Sequence, residues 1–119
     1  NLSVNASPEI KAELLPPLVR GEWVGAMAMS EPHVGTDVLG MQTTAVRSGD
    51  HYLVNGRKMW ITNGTQDENR TPADCVLLYA RTGEEGGRAK VTTFVVKRDF
   101  PGFSVGQKIA DKCGMRASN

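Results

Sequence analysis

The chain has 119 residues and a formal net charge of +1, from 14 Lys and Arg against 13 Asp and Glu. That length fits one domain with a single core. The balanced charge, with no basic run longer than two residues, argues against a nucleic-acid partner, and no apolar run approaches the ~20 residues of a membrane helix.

The opening Asn1-Leu2-Ser3 lacks an initiator Met and a signal peptide, and reads as mid-protein sequence. Ser7-Pro8-Glu9 is a helix start: Ser as N-cap, Pro in the first turn and an acid beside it. Ile10, Leu14 and Leu15 supply an apolar stripe at helical spacing. Pro16-Pro17 interrupts it, Leu18-Val19 adds a last turn, and Gly21 ends it. One helix is expected.

Strand character follows. Trp23 to Met29 is an apolar run of strand length, and a loop from Ser30 to Asp37 comes next. Gln42 to Arg47 and His51 to Val54 form a hairpin around Ser48-Gly49-Asp50. Asn55-Gly56 predicts a type I′ turn, and Arg57 to Thr62 a returning strand. Thr65 to Asp74 is polar and predicts a surface loop. Cys75 to Ala80 and Val91 to Lys97 are strands, separated by a Gly-rich loop from Arg81 to Lys90. A turn at Asp99-Phe100-Pro101-Gly102 leads to a last strand, Phe103 to Ile109. The expected fold is mainly β: an antiparallel sandwich or barrel of about seven strands with one N-terminal helix.

Two stretches carry chemistry. Alternation along Arg57 to Thr62 places Lys58, Trp60 and Thr62 on one face, with Met59 and Ile61 toward a core. A large aromatic beside a hydroxyl suits a flat heteroaromatic ligand; on periodicity alone, an ordinary amphipathic strand with a partly exposed Trp is the commoner arrangement. In the other stretch, Gly35 permits close approach to the main chain, and Ser30 and Thr36 offer hydroxyls. Its plain alternative is a connection with Pro32 at a turn and Asp37 capping a short helix from Val38 to Met41. His33 lies in this loop and His51 faces solvent; neither belongs to a triad arrangement. Glu31 is a candidate base, with a structural hydrogen bond as the competing role; Glu84 and Glu85 read as solvated. Cys75 and Cys113 lack CxxC spacing, which disfavours a metal and favours thiols, with a disulfide left open.

Together the stretches resemble the acyl-CoA dehydrogenase family. Its Ser/Thr-Glu-Pro-x-x-Gly-Ser/Thr-Asp signature stands here as Ser30-Glu31-Pro32-His33-Val34-Gly35-Thr36-Asp37. The following Asn-Gly-x-Lys-x-Trp-Ile-Thr-Asn-Gly stands as Asn55-Gly56-Arg57-Lys58-Met59-Trp60-Ile61-Thr62-Asn63-Gly64. The closing Lys112 to Asn119 resembles the segment leading to the next strand. The likeness implies that residues 1–21 end an N-terminal helical domain and residues 22–119 belong to a middle β-domain. His33 and Val34 replace small residues, and the Thr65–Asp74 loop is longer than in most members.

The resemblance further implies FAD as cofactor, held by Met27, Ala28, Met29, Ser30, Glu31, Gly35, Thr36, Trp60, Ile61 and Thr62. It assigns substrate contacts to Thr36, Gly86 and Gly87. The implied reaction is α,β-dehydrogenation of a short or branched acyl-CoA, with electrons passing to an electron-transferring flavoprotein. The family's base is a Glu of a C-terminal helical domain, so no catalytic residue is expected in this chain. A homotetramer is implied, in the mitochondrial matrix of a eukaryote or the cytoplasm of a bacterium. An acyl-CoA oxidase shares the architecture, and a non-redox β-sandwich binding module is the alternative from another class.

Overall fold

A computed structural model of the chain describes residues 1–109 and Cys113. Two helices come first, α1 (Leu2–Asn5) and α2 (Pro8–Val19). Five strands follow: β1 (Gly25–Ala28), β2 (Thr44–Ser48), β3 (His51–Asn55), β4 (Cys75–Glu85) and β5 (Arg88–Lys97). A short 3₁₀ helix at Val38–Gly40 lies between β1 and β2. The strands make one sheet in the order β1-β4-β2-β3, with β5 pairing β4.

The helical start is as expected: the Ser7 hydroxyl accepts a bond from the Ile10 amide at 3.4 Å. The Pro pair, however, does not break α2, which runs through Pro16 and Pro17. Both missing amides fall near the end of the helix. Just beyond, Gly21 takes a φ of +72°, and the amides of Gly21 and Glu22 bond the carbonyls of Leu18 and Pro17. This Schellman closure anchors the last turn. The additional helix, α1, has its Asn1 amide side chain bonded to the Tyr79 hydroxyl at 2.8 Å.

The sheet departs from the antiparallel sandwich or barrel. It is open and mixed: β1 runs parallel to β4 from Gly25↔Cys75 to Ala28↔Leu78, and β2 meets β4 in parallel at Thr44↔Arg81. Parallel neighbours need a long connection, and the whole stretch between β1 and β4 serves as one. Among the described residues, only β2–β3 and β4–β5 are antiparallel hairpins. The β2–β3 turn at Gly49-Asp50 has Gly49 at φ +63°. The seven expected strands reduce to five because residues 57–61 and 103–109 form no strand.

Glycines explain two further corrections. The run from Arg81 to Lys90 is not a flexible loop; the β4–β5 hairpin continues through it to Glu85↔Arg88. Gly86 and Gly87, at φ +58° and +75°, make its two-residue turn, and a register shift at Arg81/Gly83 marks a bulge. Conversely, Asn55-Gly56 is not a turn with positive φ. Gly56 is required for space: a Cβ there would lie 2.2 Å from the Thr43 hydroxyl.

The Thr65–Asp74 stretch is more closely tied down than a plain surface loop. Thr65 pairs with Pro72, the Gln66 amide bonds the Thr71 carbonyl at 2.8 Å, and Asp67 accepts from the Thr71 amide and hydroxyl. Buried Asp74 accepts from the Val24 amide at 2.9 Å and pairs with Arg98 at 3.1 Å. It thus joins the approach to β1, the entry to β4 and the exit from β5. The core beneath comprises Ala28, Ile61, Ala73 and Val76, packed with Val24, Ala26, Leu78 and Phe103. The Pro101-Gly102 turn is present, with Gly102 at φ +81°. Cys75 and Cys113 are free thiols. Apart from Cys113, the closing motif from Lys112 to Asn119 lies outside the described residues.

Candidate functional site

Strand β1 delivers the chain to the edge of the core, where Ala28 is buried and Met27 is exposed. The main chain then folds back on itself. The Glu31 amide bonds the Val34 carbonyl at 2.9 Å and the Val34 amide bonds the Glu31 carbonyl at 3.1 Å, with Pro32-His33 at the corner. Pro suits that corner because its φ is preset. Gly35 and Thr36 emerge exposed. Asp37 begins the 3₁₀ helix through the Gly40 amide bond to its carbonyl, while its side chain makes no cap bond.

The second motif is fastened to the first across the gap left by the missing strand. The Met59 amide donates to the Ser30 carbonyl at 3.0 Å. The Lys58 ammonium donates to the Met29 carbonyl at 3.0 Å and to Glu31 Oε1 at 2.8 Å. Both charged side chains are nearly buried, at 8% exposure for Lys58 and 5% for Glu31. The amides of Gln42 and Thr43 complete the Glu31 carboxylate at 2.7 and 3.0 Å. Burial opposes its charge, but the Lys58 ammonium and these amides outweigh that penalty and lower its pKa to about 2. Glu31 is thus a fixed anion with its oxygens engaged, a poor candidate for a base.

Beyond Lys58-Met59 the backbone takes an unusual turn. Trp60 has a φ of +60° and Asn63 a φ of +59°. Asn tolerates this region; a bulky aromatic does so at a cost of ~1–2 kcal/mol. The flanks hold it there: Met59 is bonded to Ser30, and Ile61 is 8% exposed in the core. Trp60 is left 44% exposed and Thr62 is exposed after it. The expected display of Trp60 and Thr62 around a buried Ile61 therefore exists, produced by a strained turn rather than by strand alternation. Lys58, expected beside Trp60 on an open face, has its side chain nearly buried instead.

Among the expected cofactor residues, Met27, Gly35, Thr36, Trp60 and Thr62 are exposed, and Met29 and Ser30 are half-buried. The side chains of Ala28, Glu31 and Ile61 are buried. Gly35 has neither a positive φ nor any atom within 4 Å of a would-be Cβ. Gly86 and Gly87 stand at the far tip of the β4–β5 hairpin. Seven residues of β4, at ~3.3 Å each, separate that tip from Leu78, the partner of Ala28. Sequence reasoning assigned no task to Lys58 or to the Gln42 and Thr43 amides. The available signal was the opposite charge of Glu31 and Lys58, one in each motif.

Comparison with known proteins gives the family. Residues 26–119 match the family model described as acyl-CoA dehydrogenase, middle domain. The chain is 44% identical over 117 residues to the mitochondrial isovaleryl-CoA dehydrogenase of Pongo abelii, covering 97% of this chain and 26% of that protein. It is 39% identical over 118 residues to the short-chain specific acyl-CoA dehydrogenase of Clostridium acetobutylicum, covering 99% of this chain and 29% of the relative. Among solved structures, a glutaryl-CoA dehydrogenase of Mycobacterium smegmatis in complex with FADH2 superposes with a TM-score of 0.82. It is 37% identical, and the alignment covers 98% of this chain and 27% of that one. The chain thus spans little more than a quarter of the length of these relatives, and it belongs to the acyl-CoA dehydrogenase family, matching its middle domain.

Proposed function

We propose that this chain is the flavin-binding portion of an FAD-dependent acyl-CoA dehydrogenase that acts on a short or branched acyl-CoA, isovaleryl-CoA in particular. Residues 1–21 would end the preceding helical domain and residues 22–119 would form the middle domain. The observation that carries the reading is the bonded junction of the two motifs, in which the Met59 amide meets the Ser30 carbonyl. It brings the exposed Trp60-Thr62 turn to the loop bearing Ser30, Gly35 and Thr36.

These residues suit a flat, polar-edged ring system. Trp60 presents a π surface, and its backbone is already held in the conformation that exposes it. Thr62 and Ser30 offer hydroxyls. This chain's own fold does not require a glycine at position 35; an approaching ligand supplies a reason for one. Ala28 and Ile61 support the site from the core, and any part they have in binding is through the main chain. FAD supplies the hydride acceptor for α,β-dehydrogenation of the acyl-CoA thioester. The chain's task is to bind and orient, through Met27 to Thr36 and Trp60 to Thr62. Thr36 would meet one end of the thioester, and Gly86-Gly87 would touch the distant CoA end. The α-proton is left to a Glu outside this chain.

The substrate reading rests on Ala28-Met29-Ser30-Glu31-Pro32 and on residues 114–119, which resemble isovaleryl-CoA dehydrogenase. It places the enzyme in leucine catabolism, with an electron-transferring flavoprotein as acceptor and a homotetramer as assembly. The location would be the mitochondrial matrix in a eukaryote and the cytoplasm in a bacterium. Turnover of the full-length protein tests this. Isovaleryl-CoA should be oxidised faster than straight-chain or glutaryl thioesters, with a flavoprotein acceptor and little oxygen consumption. Rapid oxygen consumption would establish an oxidase instead. No flavin and no turnover with any acyl-CoA would leave the binding-module reading.

A further inference from the structure

We infer that Lys58 is a positioning residue of the flavin site, setting the spacing between its two motifs rather than merely neutralising a buried acid. The inference rests on the FAD reading above. Two consecutive residues, Lys58 and Met59, bond three consecutive ones. Lys58 reaches the Met29 carbonyl and the Glu31 carboxylate, and the Met59 amide reaches the Ser30 carbonyl between them. Neutralising Glu31 needs only one of these contacts. The bond to the Met29 carbonyl fixes the backbone immediately before Ser30, and the ammonium that makes it is two residues from the strained Trp60. A shift of Lys58 would therefore move both halves of the cradle relative to each other.

The surroundings leave Lys58 little freedom. Its side chain is nearly buried, with Met41, itself fully buried, at 4.0 Å from the ammonium. Lysine is rarely so enclosed without a specific partner. The Trp60 turn is a place where a strained backbone persists because its neighbours over-determine it. On the N-terminal side, those neighbours are Lys58 and Met59.

The test uses the full-length protein, stripped of flavin and titrated with FAD while thermal stability is followed separately. Lys58→Met should lower both the melting temperature and FAD affinity, since it strands a buried carboxylate and frees the Met29 carbonyl. The double variant Lys58→Met/Glu31→Gln removes the charge on both sides. Removing both buried charges restores part of the stability, although a carboxamide at position 31 has only one oxygen to accept from the Gln42 and Thr43 amides. The positioning role predicts that the melting temperature recovers in part, relative to Lys58→Met, while FAD affinity stays about tenfold or more below wild type, because misplaced binding groups do not recover with charge balance. Recovery of both together would overturn the inference and leave Lys58 as a counter-ion. Lys58→Arg covers a failure of the Met variant to fold. It keeps the charge, but its planar fork should not reproduce both bonds. A stable Arg variant should bind FAD severalfold more weakly with a shifted visible flavin band, and an unchanged band and affinity would overturn the inference. If wild type binds no FAD, the underlying flavin reading fails before any variant is compared.

Discussion

Glu31 links the protonation of one carboxyl to the integrity of the site. Its folded pKa, lowered from 4.5 to about 2, lies below its unfolded value. Its contribution is therefore complete above pH ~4.5 and is lost as the pH falls toward 2. A shift of that size corresponds to roughly 3 kcal/mol. Glu31→Gln should destabilise the protein by about this amount at pH 7, with the gap to wild type closing as the pH is lowered toward 2. Unfolding free energies of both proteins across that range provide the check, and a gap independent of pH would refute the assignment. The Ser-Glu-Pro and Trp-Ile-Thr signatures were legible in the sequence. The partnership between them was not. Lys58 lies 27 residues from Glu31, and within a strand-like alternation a lysine reads as a solvent-facing residue. Trp60 misled in the same way: its exposure was foreseen, but its left-handed backbone has no signal in residue type, because that conformation is disfavoured for an aromatic.

At the scale of elements, reading apolar and β-branched runs between turn signals located β1, β2 and β3 to within a few residues and identified the cores of β4 and β5. It failed where glycine has more than one use. Gly83, Gly86 and Gly87 resembled a loose loop and proved to be the bulge region and turn of one long hairpin. Gly56 resembled a turn residue and proved to be a point of close contact with Thr43. That contact occurs where the chain leaves β3 for the Lys58 motif, so it fixes the start of the second motif. Gly56→Ala should cost about 1–3 kcal/mol through overpacking, measurable as a lower denaturant midpoint at unchanged m-value. Thr43→Gly in the same chain should recover part of the loss. If Gly56→Ala alone is neutral, the close approach does not constrain the fold. Gly87→Ala should also destabilise, through strain at positive φ, but without moving the Lys58 motif.

For the whole molecule, the predominance of strands was legible and the topology was not. Parallel pairing of β1 with β4 depends on a long connection whose return direction no local pattern encodes. The result is an open mixed sheet whose edge presents two motifs that are distant in sequence. Their junction depends on Lys58, Met59 and the core anchor Ile61. The proposed function makes this junction one wall of a flavin site. FAD affinity of the full-length protein measures it most directly, comparing wild type with Trp60→Ala. Trp60 is 44% exposed, so the melting temperature of the flavin-free proteins, followed alongside, separates lost packing from lost binding. Loss of the stacking surface should weaken FAD binding by about 1–3 kcal/mol, or roughly five- to more than a hundredfold. Equal FAD affinity in the two proteins would contradict the claim.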